Sequence, residues 1–183
     1  MSDDGRTRCA WADSTPDYVT YHDEEWGTPL RGVDAMYERL CLEAFQSGLS
    51  WITILRKREN FRRAFARFDP ARVARFTDED RERLMADVSI VRNRAKIVAA
   101  INNACGVLDL DAPLDELLWS FRPAKARRWA RMADVPAVTD ESKAMAKELK
   151  RRGFVFLGPT TCYALMQATG IVDDHIAACW RAA

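Results

Sequence analysis

The chain has little of what would assign it to a class at a glance. Its 28 basic and 27 acidic residues leave a formal net charge of +1, so overall charge does not announce a nucleic-acid partner. No apolar run is long enough to span a bilayer. The polar, acidic N-terminus lacks the pattern of a secretory leader, and the expectation is a cytoplasmic protein. There is no strand-like alternation, no internal repeat, and no linker rich in Gly, Ser or Pro. Histidine occurs only twice, at His22 and His175. The five cysteines are an odd number, and in a reducing compartment metal ligation or burial explains them better than disulfides.

What is present reads as helix. The length of 183 residues suits one domain with a real core, or two small helical lobes around one cleft. Met36, Tyr37, Leu40, Cys41, Ala44 and Phe45 fall on one helical face, and Phe61, Phe65 and Phe68 repeat the spacing. Another stripe runs from Ile90 to Leu108 through Val91, Ile97, Val98, Ile101 and Ala104. Leu114, Leu117, Leu118 and Phe121 make a short helix. Asp69-Pro70 reads as a cap followed by proline in the first turn, and Thr77 with Asp80 as a capping box. Thr139 opens a helix that Gly153 closes, and Gly170 closes the next. Asp173 or Asp174 can cap a last helix carrying His175 and Cys179. Only the segment 122–138 is irregular enough for a long loop. The expected fold class is all-α and compact.

Two constellations carry chemistry. His175 and Cys179 are four apart, which on a helix places both on one face. With Cys9 and His22 they make a Cys2His2 set suited to tetrahedral zinc. Spacing alone leaves a second account open, in which these are two unrelated pairs of ordinary residues. The other constellation centres on Glu43. It lies beside the apolar stripe, next to Leu42, an apolar residue on the face that should be wet. That pattern suggests a cleft with a glutamate at its edge, against a solvated glutamate as the plainer account. Trp11, Tyr18, Tyr21 and Trp26 crowd the N-terminal segment. Aromatic rings with a carboxylate suit a flat, cationic ligand, although half or more of such rings are normally core. Arginine and lysine gather at 56–63, 122–131 and 147–152, either as solvated helix faces or as parts of one basic face.

Several separated blocks resemble one family. Arg8-Cys9-Ala10-Trp11, Tyr21-His22-Asp23-Glu24-Glu25-Trp26-Gly27 and the run from Cys41 to Trp51 are similar to the signature blocks of type I bacterial 3-methyladenine DNA glycosylases. Lys57–Phe61, Arg151–Phe154, Cys162–Ala168 and Asp174-His175 continue the likeness, which spans about Arg8 to Cys179. The resemblance implies a single helix-hairpin-helix glycosylase domain over 1–183, with one structural Zn2+ held by Cys9, His22, His175 and Cys179 and joining the termini. It implies a base pocket formed by Tyr21, Glu43, Trp51 and Trp11, with Glu43 as the catalytic residue, accepting hydrogen bonds from the base, and a general-base role for it less favoured. It implies DNA contacts from Gly48 and Leu49, which wedge into the gap left by an extruded nucleotide, and from Gly158, Thr160 and Thr161 at the hairpin. Thr160 stands where a strand-cleaving lysine would lie, so the implied enzyme is monofunctional. Its partner would be alkylated double-stranded DNA and its product free 3-methyladenine, released by a monomer. A lesion-binding protein without excision is the alternative. Phe45, Ser47 and Asp173 depart from the family pattern, at pocket edges and near the C-terminus.

Overall fold

A computed structural model describes residues 4–182. The expected domain range of 1–183 therefore has residues 1–3 and 183 outside the described part. Among the described residues there are nine α-helices and no strand, only an isolated bridge between Trp129 and Ile176. The helices are α1 Pro16–Glu24, α2 Val33–Gln46, α3 Trp51–Ala64, α4 Pro70–Val73, α5 Asp78–Ala86, α6 Arg94–Leu108, α7 Leu114–Trp119, α8 Asp140–Arg151 and α9 Pro159–Ala168.

Helix α2 is the axis of the molecule. It packs against α3, α6, α7 and α9, which surround it. A helix covered on several sides cannot keep a wet face, and nine of its fourteen residues are buried, including Leu42, Arg39 and Glu43. The predicted stripe from Met36 to Phe45 is buried throughout. The Tyr37 hydroxyl satisfies itself by donating to the Ala100 carbonyl of α6 at 2.8 Å.

Local signals set most boundaries. The Asp69 carboxylate accepts from the amides of Ala71 and Arg72 ahead of α4. Thr77 and Asp80 close a reciprocal capping box on α5, and Thr139 and Ser142 do the same on α8. Helix α8 ends with Gly153 at φ +85°, with Gly153 N donating to Lys150 O and Phe154 N to Leu149 O. Between 122 and 138 the chain is irregular, apart from a short 3₁₀ turn at Met132–Asp134.

Three expectations change. Phe68 does not continue the stripe of α3: the helix stops at Ala64, and Ala66, Arg67 and Phe68 take left-handed backbone angles. That turn brings Phe68 back against Phe65, with ring centroids 5.5 Å apart. On α6, Val98 and Leu108 are exposed, so the stripe is narrower than the sequence implied. Finally, His175 and Cys179 do not lie on a helix. Ala177 N donates to Trp129 O, an amide that a helix would have used for itself. Asp173 does cap locally, accepting from His175 N at 3.2 Å, but the segment continues in turns.

The glycine after α9 is the tightest backbone point. Gly170 has φ +69°, and a Cβ there would sit 2.7 Å from Gly27 O, Thr28 C and Pro29 N. Backbone on both sides cannot yield cheaply. Gly170→Ala should lower unfolding free energy by roughly 3 kcal/mol or more, read by denaturant titration; a loss under about 1 kcal/mol would show that these two segments can separate.

Candidate active site and metal centre

Glu43 lies on the face of α2 turned toward α1, α3 and α9. It is 5% exposed, and its carboxylate has no hydrogen-bond partner among the described residues. It is thus part of a pocket wall rather than the cleft edge that its sequence position suggested. The pocket holds about 390 Å³ and is lined by Trp11, Tyr18, Tyr21, Trp26, Gln46, Trp51, Met132 and Gln167 among others. Burial pushes the Glu43 carboxyl up to about 7, while the Arg39 guanidinium opposes the shift.

The rings are set by a few polar anchors. Tyr18 Oη accepts from Ile52 N at 2.9 Å, using an otherwise orphan amide in the first turn of α3. Tyr21 Oη accepts from Arg39 Nη1 at 3.0 Å. Arg39 also reaches Glu25, which Arg58 shares, and lies 5.4 Å from the centroid of Trp51, so its charge is only partly offset behind the pocket. Burial keeps the Tyr21 phenol protonated far above its usual range, against the pull of Arg39. Tyr21 and Trp51 lie 5.4 Å apart, and Trp11 meets Trp26 edge-on at 5.2 Å. Trp51 Nε1 is buried without a partner among the described residues, an uncommon state for an indole donor.

The structure brings all four base-pocket candidates, Trp11, Tyr21, Glu43 and Trp51, to this one cavity. A smaller cavity beside it is lined by Glu43, Gln46, Gly48, Leu49, Thr160 and Thr161. Four of the five predicted DNA contacts therefore share a wall with Glu43. Gly158 lines neither cavity; it occupies the cap position ahead of α9. Sequence reasoning missed Arg39, Met132 and Gln167. Arg39 could have been found, because it precedes Glu43 by one helical turn. Met132 and Gln167 carry no local signal and reach the pocket only through tertiary folding.

The second constellation also assembles. Cys9, His22, His175 and Cys179 are all buried, with ligand atoms within 4.8 Å of one another. Cys179 Sγ is 3.4 Å from His22 Nε2 and 3.5 Å from His175 Nδ1, and Cys9 Sγ is 3.7 Å from His175 Nδ1. Ligands at zinc-like bond lengths stand roughly 3.3–3.8 Å apart around a tetrahedral centre, so the four could hold one metal ion. The outward nitrogens are engaged: His22 Nδ1 lies 2.8 Å from Asp23 Oδ1, and His175 Nε2 lies 3.2 Å from Trp26 O. With those acceptors outside, the lone pairs of His22 Nε2 and His175 Nδ1 face the sulfurs. Burial, with His22 alongside, pushes His175 down to about 4, which keeps its ring neutral.

The sequence pattern of methyladenine glycosylases matches residues 11–182. The chain belongs to that family. It is 44% identical over 177 residues to DNA-3-methyladenine glycosylase 1 of Escherichia coli (strain K12), covering 94% of this chain and 95% of that one. Its backbone matches a crystal structure of 3-methyladenine DNA glycosylase I with TM-score 0.93 and 43% identity, over 97% of this chain and 100% of the other. A Staphylococcus aureus 3-methyladenine DNA glycosylase I, solved to show the basis of 3-methyladenine recognition, matches with TM-score 0.91 and 36% identity over 96% of each chain.

The arrangement of Arg39 and Glu43 is testable by titration. Arg39→Met removes the one charge that favours ionised Glu43. The Glu43 carboxyl should then titrate above about 7, followed by carbon-13 NMR of the side chain. A midpoint that stays or falls would mean the two groups do not interact through the pocket wall.

Proposed function

We propose that this methyladenine glycosylase excises 3-methyladenine from alkylated double-stranded DNA by base flipping and hydrolysis of the N-glycosidic bond. The observation that carries the proposal is Glu43: a buried carboxylate without a protein partner, set among aromatic rings and aimed at none of the surrounding cations by a hydrogen bond. Such a group is costly to bury unless a ligand completes it.

A base inside the duplex is out of reach of a pocket, so it must leave the stack. Leu49 is exposed beside the pocket and fills part of the vacated space. Tyr21 and Trp51 stack on the purine, and Trp11 closes the aromatic wall. Glu43 accepts hydrogen bonds from the adenine edge and complements the positive charge of a 3-methylated adenine nucleotide. Methylation already weakens the glycosidic bond, so the enzyme need not protonate the leaving group. Its tasks are to hold a cationic purine and let water attack an oxocarbenium-like sugar. Unmodified adenine lacks the charge and gains less from Glu43.

The turn between α8 and α9 serves as the hairpin, with Gly158, Thr160 and Thr161 presenting the start of α9 to DNA phosphate. No lysine occupies the Thr160 position, which fits a monofunctional hydrolase. One hydrophobic cluster runs from Cys9 to Cys179, which supports a single glycosylase domain. No described helix is long and apolar enough to cross a membrane, and separately we assign the protein as a monomer that works on cytoplasmic DNA.

The ion we assign to the Cys9, His22, His175 and Cys179 set is Zn2+. Two thiolates and two neutral imidazoles suit it, and four protein ligands leave no open position for chemistry. Bound by these residues, zinc would supply a cross-link, with Cys9 and the α1 residue His22 joined to His175 and Cys179 after α9.

Two measurements test these assignments. Bases released from methylated DNA are separated and identified from about pH 5 to about pH 9. The carboxylate is the working form, so 3-methyladenine release should fall as pH drops through about 7. Glu43→Gln should abolish that limb and cut release by about a hundredfold or more. Release of 3-methyladenine at an unchanged rate from the variant would remove Glu43 from the mechanism. For the metal, elemental analysis should find about one zinc per chain, and a chelator should lower the melting temperature by several degrees. A metal-free chain that melts at the same temperature would refute the staple.

A further inference from the structure

Lys96 is a buried lysine that the mechanism above does not use. It lies in the first turn of α6 and is 6% exposed. Its ammonium donates to Phe45 O at 2.8 Å and to Ser47 O at 2.5 Å, the free carbonyls at the end of α2. A cation at a helix C-terminus is favoured by the dipole, and here it comes from another helix. The residues it grips lead directly into the turn Ser47-Gly48-Leu49, where Gly48 has φ +80° and Leu49 is 41% exposed.

The same ammonium lies 5.9 Å from the ring centroid of Phe156. Phe156 belongs to the turn between α8 and α9, has φ +65°, and is 42% exposed. An aromatic residue in left-handed backbone is strained and persists only where its surroundings fix it. Helix α6 supplies the fixing: Asn103 accepts from Val155 N at 2.9 Å and donates to Val155 O at 3.1 Å. Asn102 donates to Gly153 O at 2.9 Å. Two exposed apolar side chains on separate turns are thus held by one face of one helix.

We infer that Lys96 is a positioning residue for DNA engagement, locking the Leu49 and Phe156 turns in one frame so that both side chains meet the duplex as a unit. This rests on the assignment of Leu49 as the wedge. Phe156 then acts as a second apolar contact, at the sugar and base edges next to the gap. Leu49 borders only the smaller cavity beside Glu43, and neither Leu49 nor Phe156 lines the cavity that holds the rings, so the free base should sense Lys96 less than the duplex does.

The test compares Leu49→Ala, Phe156→Ala, Lys96→Met and the double variant Lys96→Met/Leu49→Ala. Each is assayed for kcat/KM on methylated duplex, for affinity toward free 3-methyladenine, and for melting temperature. Leu49→Ala and Phe156→Ala should each lose about tenfold in kcat/KM on duplex, with free-base affinity unchanged. Lys96→Met should lose at least as much, and in its background Leu49→Ala should cost clearly less than it does alone. Full additivity, or an equal loss toward free base and duplex in Lys96→Met, overturns the positioning role. If Lys96→Met does not fold, Phe156→Ala decides: exposed and outside the core, it must still lose activity on duplex alone, and wild-type kcat/KM overturns the proposal. An unaffected Leu49→Ala beside an impaired Phe156→Ala would instead reject the wedge assignment.

Discussion

In the proposed role Glu43 must stay unpaired to serve a charged base, and keeping a mostly buried carboxylate without a hydrogen-bonded protein partner sets the terms for everything around it. A bonded protein cation would satisfy the group and weaken its attraction for a ligand cation. Burial without a partner pushes its carboxyl up to about 7, which corresponds to a cost on the order of 3 kcal/mol for ionising it inside the fold. A carboxyl raised above its unfolded value contributes stability while it is protonated, and that contribution is lost as pH rises through about 7. The protein is therefore least helped by Glu43 under the conditions in which Glu43 is charged and ready. A cationic ligand reverses the balance, because it favours the ionised form.

That cost requires support from the rest of the fold. Arg39, one turn before Glu43, pairs with Glu25, which it shares with Arg58, and it moderates the Glu43 carboxylate through its charge without a hydrogen bond to it. The rings opposite are supported from behind by the Cys and His cluster. Trp11 lies 5.4 Å from His22, and Trp26 lies 4.7 Å from His175. The cluster and the pocket are thus two sides of one aromatic layer. Asp174, next to His175, extends the support. It is buried and accepts from Tyr163 Oη at 2.6 Å, Gln167 Nε2 at 2.8 Å and Trp129 Nε1 at 2.7 Å. Gln167 is in the pocket wall, and Trp129 anchors the loop that brings Met132 there. With three donors already satisfied, Asp174 is a clamp and has little capacity left to face a sugar.

Legibility in the sequence follows the range of the interaction. Capping at Asp69, Thr77 and Thr139 depends on residues three apart, and the helix starts were read correctly. The burial of Leu42 beside Glu43 was a local anomaly with a tertiary cause, and it pointed to the right face of α2. The left-handed turn at Ala66–Phe68 gave no such warning, because phenylalanine spacing looks helical whether or not the backbone reverses. His175 and Cys179 were placed on a helix for the same reason: a spacing of four fits a helix, but it also fits a turn whose amide is taken by Trp129. The four residues of the metal set still converge, because convergence depends on where the side chains meet and not on the backbone that carries them. Spacing alone left the pairing of its two halves open, and only the resemblance and then the packing of the termini joined them.

The basic clusters show how composition misleads about partners. Arg58 pairs with Glu25, Arg62 with Glu38 and Glu59, and Arg56 with Asp17, so the first cluster largely fastens helices to one another. Arg127, Arg128 and Arg131 pair with Glu141, Asp173 and Asp134, and Arg151 and Arg152 share Glu148. Exposed pairs of this kind contribute little stability each, about 0–1 kcal/mol, but they remove free positive field from the surface. Arg63, Arg122, Lys125, Lys147 and Lys150 form no ion pair among the described residues, so part of each cluster keeps free positive charge in a chain of net charge +1. In the proposed binding mode the rest of the grip comes from short-range features: backbone amides at the start of α9 and apolar side chains on rigid turns. That requirement makes the bracing of those turns by α6 a matter of affinity as well as shape, since a mobile Leu49 or Phe156 would have to be ordered at the cost of binding energy.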